Sequence, residues 1–345
     1  MISATVVGAS GYIGGEVIRL LINHPKIDKI LPVSREHYGK PVSSVHKNLY
    51  KIFDENFVDL NLDNINTDVV FLATPPGESF NIAPKLLKKD IKVISLSADY
   101  RFQDVEEYKR VYKTEKDDIN EEENKEFAKN AVYGLPEIFR EEIKKANLIA
   151  NPGCYPTSAI LAIFPLAKFK EKLEVDKIVV DSISGSSGAG AKPSLFLHHP
   201  EVHDNLKPYN VTNHKHRPEM EYILRPFFDG IKLSFTPTLG SWVRGIRTDV
   251  HIFTKDMNND DAIHLHDFYE KFYEKEPFVR ITNTPYIANV VYTNFCDISV
   301  NYDEHTNRIL LISVIDNILK GGSGQAVQNM NIMFGFDEKS GLIFR

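Results

Sequence analysis

The chain is poor in several things that would decide its class. Only two of its 345 residues are cysteine, too few for a disulfide framework and suited to a reducing compartment. Its longest candidate for a membrane span, residues 159–167 (AILAIFPLA), is nine residues, where a crossing needs about 20. No basic stretch precedes the N-terminal MISATVVGASGYIGG, so no export signal is expected. Charge of one sign is not in large excess. The 41 Lys+Arg against 47 Asp+Glu leave −6, which argues against general binding to nucleic acid or an anionic membrane. Neither C-x-x-C nor H-E-x-x-H occurs, and the adjacent His198 and His199 point apart in any regular structure, so no metal site is expected. There is no internal repeat and no low-complexity linker. What remains is the expectation of a soluble, cytoplasmic globular protein, long enough for about two domains.

Residues 4–8 (ATVVG) are a short, β-branched apolar run. Glycines follow, then EVIRLLINH with apolar residues at helical spacing, then KILPVS. This is a β-α-β unit, which builds parallel sheet. Further strands are read at 69–73, 93–96 and 148–150, with a helix at 81–90. The alternation predicts a Rossmann-type, doubly wound α/β domain through residue 153. Beyond it, strand-like stretches cluster at 178–183, 231–236, 246–253, 296–300 and 309–315. Helical periodicity is clear at 155–170, 218–228 and 259–274. Strands in succession with few helices predict an α+β domain on an antiparallel or mixed sheet. The acidic residues 115–126 read as a solvated surface stretch.

Gly8, Gly11 and Gly14 form a G-x-x-G-x-x-G string between the first strand and the first helix, a variant of the dinucleotide fingerprint. Glycines there let the backbone approach a pyrophosphate, and the helix N-terminus favours its charge. At the end of the second strand an acidic residue would bond a ribose hydroxyl. Ser34-Arg35 stands there instead, a hydroxyl and a guanidinium suited to a 2′-phosphate, so NADP(H) is expected although Glu36 follows.

Asn151-Pro152-Gly153-Cys154-Tyr155-Pro156-Thr157 is the most informative heptapeptide. A strand ends before it and a helix begins within it, with Pro156 suited to a first turn. Cys154 therefore sits at a helix N-terminus, where thiolate is favoured over thiol. That makes it a candidate nucleophile, whereas Cys296 reads as a small core residue. A thiolate needs a partner that handles protons. The run His214-Lys215-His216-Arg217 offers one, in a local cationic site fit for phosphate or carboxylate.

GASGYIGG, SREHYGKP, LSADYR, NPGCYPT, SGSSGAG, HHPE, NHKHRPE, RGI and NxLKGGSGQAVQ occur in this order from residue 8 to residue 328. Together they resemble the N-acetyl-γ-glutamyl-phosphate reductases of arginine biosynthesis, and more distantly aspartate-semialdehyde dehydrogenase. The resemblance implies Cys154 as catalytic cysteine and His214 as general base. It implies His216, Arg101 and Arg244 as substrate-binding residues. It implies Gly8, Ser10, Gly11, Tyr12, Ile13, Gly14, Ser34, Arg35, Thr74, Pro75, Asn317 and Gly322 on the NADP-binding side. It also implies a Rossmann domain of residues 1–153 and 320–345, an α+β substrate and dimerisation domain of residues 154–319, and a homodimer or homotetramer. Two positions depart from the family pattern. Arg217 stands where a threonine is usual, and Thr238 where a histidine is usual. SREHYGKPVSSVHKNL and HHPE also resemble the branch that reduces glutamyl or aminoadipyl phosphates on an amino-group carrier protein, which stays as an alternative partner. A catalytically silent NADP-binding sensor is the rival of another class.

Overall fold

The computed structural model describes residues 1–113, 121–255, 257 and 264–342. Residues 115–120 of the acidic stretch and 259–263 of the helix expected at 259–274 lie outside the described residues. The chain divides into two compact units, one of Met1–Pro152 with Gly322–Arg345 and one of Gly153–Gly321. None of the helices among the described residues is long and apolar enough to cross a membrane.

The first unit is built on six strands, β1 (Ile2–Val7), β2 (Ile27–Val33), β3 (Val69–Leu72), β4 (Lys92–Ser95), β5 (Val132–Tyr133) and β6 (Leu148–Ala150). They lie in the order β2-β1-β3-β4-β6-β5, all parallel. Strands β3 and β6 are buried at every residue, as a sheet covered on both faces requires. The order reverses at β1, so the carboxyl ends of β1 and β3 border the crevice where ligands bind in such sheets. The helix Tyr12–Ile22 follows β1 and turns Val17, Ile18, Leu20 and Leu21 inward. The helix Gly324–Met333 is buried along its whole length. Several of its polar side chains find partners inside the unit. Asn329 Nδ2 donates to the Gly134 carbonyl at 2.8 Å, and the Asn331 Oδ1 to His24 Nε2 distance is also 2.8 Å.

The second unit holds β7 (Ile178–Ser184), β8 (Lys207–Pro208), β9 (Leu233–Leu239), β10 (Ile246–Phe253), β11 (Val279–Ile281), β12 (Cys296–Asp303) and β13 (Arg308–Ile315) in one mixed sheet, order β11-β12-β13-β10-β7-β9-β8. Burial alternates along β7, β9 and β10, so one face is covered and the other is partly open. The helix Cys154–Ile163 packs on the covered face, where Ser158 Oγ meets Ser313 Oγ at 2.9 Å. It is shorter than the 155–170 expected, because Phe164–Lys172 tightens to 3₁₀ turns. Pro165 has no N–H for the Leu161 carbonyl. The Tyr273 hydroxyl takes that carbonyl at 2.6 Å, and the Tyr269 hydroxyl takes the next one, Ala162, at 2.7 Å.

Candidate active site

In the first unit the glycine string is shaped by two different demands. Gly8 has φ of 79°, and a Cβ on it would lie 2.2 Å from the Ala73 carbonyl oxygen. A Cβ on Gly14 would lie 2.3 Å from the Gly8 oxygen. Both positions are closed to any other residue by the protein's own backbone. Gly11 is not, since a Cβ there would meet nothing nearer than the Gly8 oxygen at 3.5 Å. Its bareness leaves room for something outside the chain, which is the fit a pyrophosphate needs. Gly11 caps the helix Tyr12–Ile22 with no side-chain bond, and its N–H goes to the Gly8 carbonyl at 3.1 Å. Tyr12 is exposed and Ile13 half-buried on the first turn.

The second strand is laced to this loop. The N–H groups of Gly8 and Ala9 both donate to the Val33 carbonyl, and Ser34 Oγ donates to Ser10 Oγ at 3.0 Å. Arg35, next along, is exposed. His46, a residue for which spacing and motif predict no role, completes the loop. Its Nε2 lies 2.8 Å from the Ala9 carbonyl oxygen, and its ring fills the space where a Cβ on Gly15 would fall. Burial lowers the His46 pKa below its ordinary value. Beyond β3, Thr74 Oγ1 meets Ser79 Oγ at 3.1 Å and Pro75 is exposed. The buried Asp99 fixes this turn by accepting the N–H groups of Gly77 and Ser79 at 2.7 and 2.9 Å. Two residues later Arg101 is buried, with Nε donating to the Asn151 carbonyl at 2.8 Å and Nη2 to the Leu96 carbonyl at 3.2 Å. Tyr100 before it has φ of 69°, the left-handed region that a bulky side chain rarely enters. The Gly322 carbonyl accepts from Asn151 Nδ2 at 3.1 Å.

In the second unit Cys154 is the first residue of its helix, half-buried, with Gly153 as cap. Gly321 stands against it, because a Cβ there would fall 2.7 Å from the Cys154 Cβ. Tyr155 brings the cysteine and histidine segments together. Its ring lies edge-on to those of His214 and His216 at 5.7 and 5.8 Å, and its hydroxyl meets Tyr209 at 3.0 Å. Burial, the neighbouring phenol and the charge of Cys154 push the Tyr155 hydroxyl well up, and burial brings Tyr209 to about 12. His214 is enclosed by Tyr155, Tyr209, Phe235 and His216. Burial, then the nearby Lys215 charge, lowers its pKa to about 4. Its Nδ1 accepts the His216 N–H at 3.1 Å, so the neutral ring carries its proton on Nε2 and is a donor there.

Two residues expected at ligands are tied into the unit itself. Arg244 holds the fully buried Asp316 through Nε and Nη2 at 2.9 and 3.1 Å. Asn317 spends both ends of its amide, Nδ2 on Ser187 Oγ at 2.9 Å and Oδ1 on the Gly245 N–H at 2.7 Å. It thereby pins the SGSSGAG loop to the RGI loop. Arg217 donates through Nη1 to the Thr212 carbonyl at 3.0 Å, and Thr238 lies within β9.

Two family profiles match the chain, a semialdehyde dehydrogenase NAD-binding domain over residues 3–146 and a semialdehyde dehydrogenase dimerisation domain over residues 154–317. The chain is 45% identical to the N-acetyl-γ-glutamyl-phosphate reductase of Archaeoglobus fulgidus over 339 residues, 98% of this chain and 97% of that protein. It is 45% identical over 350 residues to the protein of the same name from Methanocaldococcus jannaschii, 99% of this chain and 98% of that one. Among solved structures, Vibrio cholerae aspartate semialdehyde dehydrogenase II complexed with ASA superposes with a TM-score of 0.70 at 16% identity, over 97% of this chain and 98% of that one. Candida albicans aspartate semialdehyde dehydrogenase with NADP gives 0.70 at 12% identity, over 97% and 99%.

Proposed function

Because the chain belongs to the N-acetyl-γ-glutamyl-phosphate reductase family of semialdehyde dehydrogenases, we propose that it reduces N-acetyl-γ-glutamyl phosphate to N-acetylglutamate semialdehyde with NADPH, through a thioester on Cys154. The observation that carries this reading is the half-buried Cys154 at the start of its helix, whose neighbour Tyr155 packs on a His214 that burial keeps neutral. The Cys154 thiolate attacks the acyl carbon and a C–S bond forms. The C–O bond to phosphate breaks, and its electron pair leaves with the phosphate. A thioester accepts hydride more readily than a carboxylate does, which is what the covalent step achieves. Bound NADPH supplies that hydride. The resulting oxyanion on the acyl carbon needs a donor, and the Nε2–H of His214 is one. Collapse returns the C–S electron pair to sulfur and releases the aldehyde. Arg101, His216 and Arg244 are the groups we assign to the anionic ends of the substrate.

For the cofactor, Gly11 supports pyrophosphate approach, and Ser34 with Arg35 supports a 2′-phosphate over a bare ribose. We assign Ser10, Tyr12, Ile13, Thr74, Pro75, Asn317 and Gly322 to the same ligand. A homodimer through the partly open sheet face accords with the half-exposed Val179, Ile183, Leu310 and Ile312 and with the dimerisation-domain match. The test is phosphate-dependent reduction of NADP⁺ with N-acetylglutamate semialdehyde. Turnover is expected with wild type, and Cys154→Ser is expected to lose at least about 10³-fold while still binding NADPH. Turnover near wild type in that variant would sink the thioester. Preference for a carrier-linked phosphate over the free N-acetylated one would move the substrate to the carrier branch.

A further inference from the structure

A cluster of hydroxyl groups lies beneath the turn that follows β3. Ser79 opens the helix Ser79–Leu87, Ser95 ends β4, Ser97 comes two residues later, and all three are buried. Ser95 Oγ donates to Ser79 Oγ at 3.2 Å. Ser97 Oγ lies 3.2 Å from Ser95 Oγ and 3.0 Å from Ser79 Oγ, which closes a triangle. Thr74 Oγ1 joins it at Ser79, 3.1 Å away, and Ser79 is the only partner of that hydroxyl among the described residues. Thr74 is half-buried and follows Ala73, whose carbonyl oxygen bars a side chain at Gly8. It therefore stands beside the glycine loop, within the same unit.

Each hydroxyl has one proton to give and two lone pairs to receive with. Counting protons round the triangle fixes every direction. The proton of Ser95 is spent on Ser79. The bond between Ser95 and Ser97 then takes its proton from Ser97, and the bond between Ser97 and Ser79 takes its proton from Ser79. None is left on Ser79 for Thr74, so Thr74 is the donor in their bond. The lone pairs agree with this count. Ser79 accepts twice, from Ser95 and Thr74, and Ser97 accepts twice, from Ser79 and from the Asp99 N–H at 3.3 Å. Asp99 is held in turn by the N–H groups of Gly77 and Ser79 and by the Tyr108 hydroxyl at 2.7 Å. The Thr74 proton points inward, and what Thr74 offers to a ligand is its lone pairs.

In the NADP(H) reading, the 2′-phosphate lies at the end of β2 and the pyrophosphate at the glycine loop after β1. The strand order β2-β1-β3 then brings the nicotinamide ribose to the end of β3. A ribose hydroxyl can donate, whereas an ionised phosphate oxygen can only accept. Resting on that reading, we propose that Ser79, Ser95 and Ser97 are positioning residues that make Thr74 an acceptor only. Thr74 then takes a hydrogen bond from a nicotinamide-ribose hydroxyl and disfavours a phosphate at the same place. A threonine with a rotating hydroxyl could serve either group. The closed triangle removes that choice before the ligand arrives.

The probes are NADPH and two analogues in which one nicotinamide-ribose hydroxyl is replaced by fluorine, which keeps the polarity and loses the proton. Affinity is read from NADPH fluorescence without substrate, so turnover is not needed. Wild type should bind one analogue about tenfold more weakly than NADPH, because an acceptor then faces no donor. Thr74→Val should bind NADPH about tenfold more weakly and should no longer distinguish that analogue. Ser95→Ala leaves the bond between Thr74 and Ser79 in place but opens the triangle. Ser97 can then donate to Ser79 and Ser79 to Thr74, which lets the Thr74 proton turn outward. Discrimination against the analogue should fall to about threefold, whereas a merely structural triangle would weaken both ligands alike. Should Ser95→Ala fail to fold in a thermal melt, Thr74→Val decides. Discrimination unchanged in Thr74→Val, or in a folded Ser95→Ala, overturns the proposal. Neutron diffraction from ligand-free crystals in deuterated water reads the direction without any cofactor. A Thr74 deuteron facing Ser79 is expected, and one facing away from Ser79 overturns the proposal. If wild type did not bind NADPH at all, the cofactor reading and its ribose partner would fall together, and the neutron map would still decide the direction at Thr74.

Discussion

Two turns in this chain carry a strand into a helix with nearly the same backbone. Gly11 caps the first helix at φ −77° and ψ 167°, and Gly153 caps the helix of Cys154 at φ −69° and ψ 155°. Neither has a side-chain cap of its own. They differ in what claims the cap's N–H. At Gly11 it is the neutral carbonyl of Gly8, itself a left-handed glycine in the same loop. At Gly153 it is a side-chain oxygen of the buried Glu219, which belongs to a later helix. The first helix keeps the full positive character of its N-terminus for an incoming anion. The second has its cap N–H tied down by a side chain from another helix, and Cys154 is the residue that follows that cap. Similar backbone thus stands at both turns, and the two differ in one hydrogen-bond acceptor.

The largest effect that bears on this contrast is expected from His214→Asn, which leaves the Cys154 turn intact and removes the donor beside it. Stopped-flow reduction should slow by about 10²–10⁴-fold in kcat with a much smaller change in KM. An equal change in both would place His214 in binding. The glycine turn can be split by two substitutions of the same size. Gly14→Ala puts a methyl 2.3 Å from a backbone oxygen and should cost about 2 kcal/mol or more in denaturant unfolding. Gly11→Ala meets only ordinary contact, so stability should stay within about 1 kcal/mol while NADPH affinity drops. If both variants lost stability alone, the room at Gly11 would have no ligand to serve. Arg35→Asp should shift the kcat/KM ratio from NADPH toward NADH by about 10–100-fold. A ratio unmoved by the swap would remove the 2′-phosphate contact.

The smallest effect is a stability slope. His214 is neutral in the fold with a pKa of about 4, against 6.5 in the unfolded chain. Between those values the unfolded state binds the extra proton, so the stabilisation is fully present above pH 6.5 and is lost as pH falls toward 4. From pH 6.5 to 5.5 the loss should be about 1 kcal/mol, and His214→Asn should lack it in chemical denaturation.

The glycine string and the cysteine turn are legible in the sequence because each sits where a run of β-branched or apolar residues stops and helical spacing begins. The Rossmann-type sheet and the mixed second sheet follow from the same change of period, and the structure has both. Strands β5 and β8 escape such a reading, since two residues carry no alternation. So does β11, three residues long and paired in parallel with a strand later in the chain. The helix expected at 155–170 ends early although its apolar pattern continues past Pro165, and the two tyrosines that close it come more than 100 residues later. Cys154 stands out as a candidate from its local turn, whereas His214 is singled out of the His214–Arg217 run only by the family resemblance. Glu219 lies in the same NHKHRPE motif as His214, but its partner is set by tertiary contact alone. The same is true of Asp316 beneath Arg244. Local spacing shows which residues carry chemistry and leaves out what holds them still.

The imidazole packed into the notch of Gly15 makes the cofactor loop a composite part. Residues 8–15 supply its path, and a histidine well beyond Gly15 supplies the peg on which its second carbonyl hangs. Moving the fingerprint alone into another parallel-sheet scaffold would carry the shape without its fastening. A working transplant would have to bring the segment through His46 as well, so the smallest exchangeable piece here spans the whole first β-α-β unit and the turn after it.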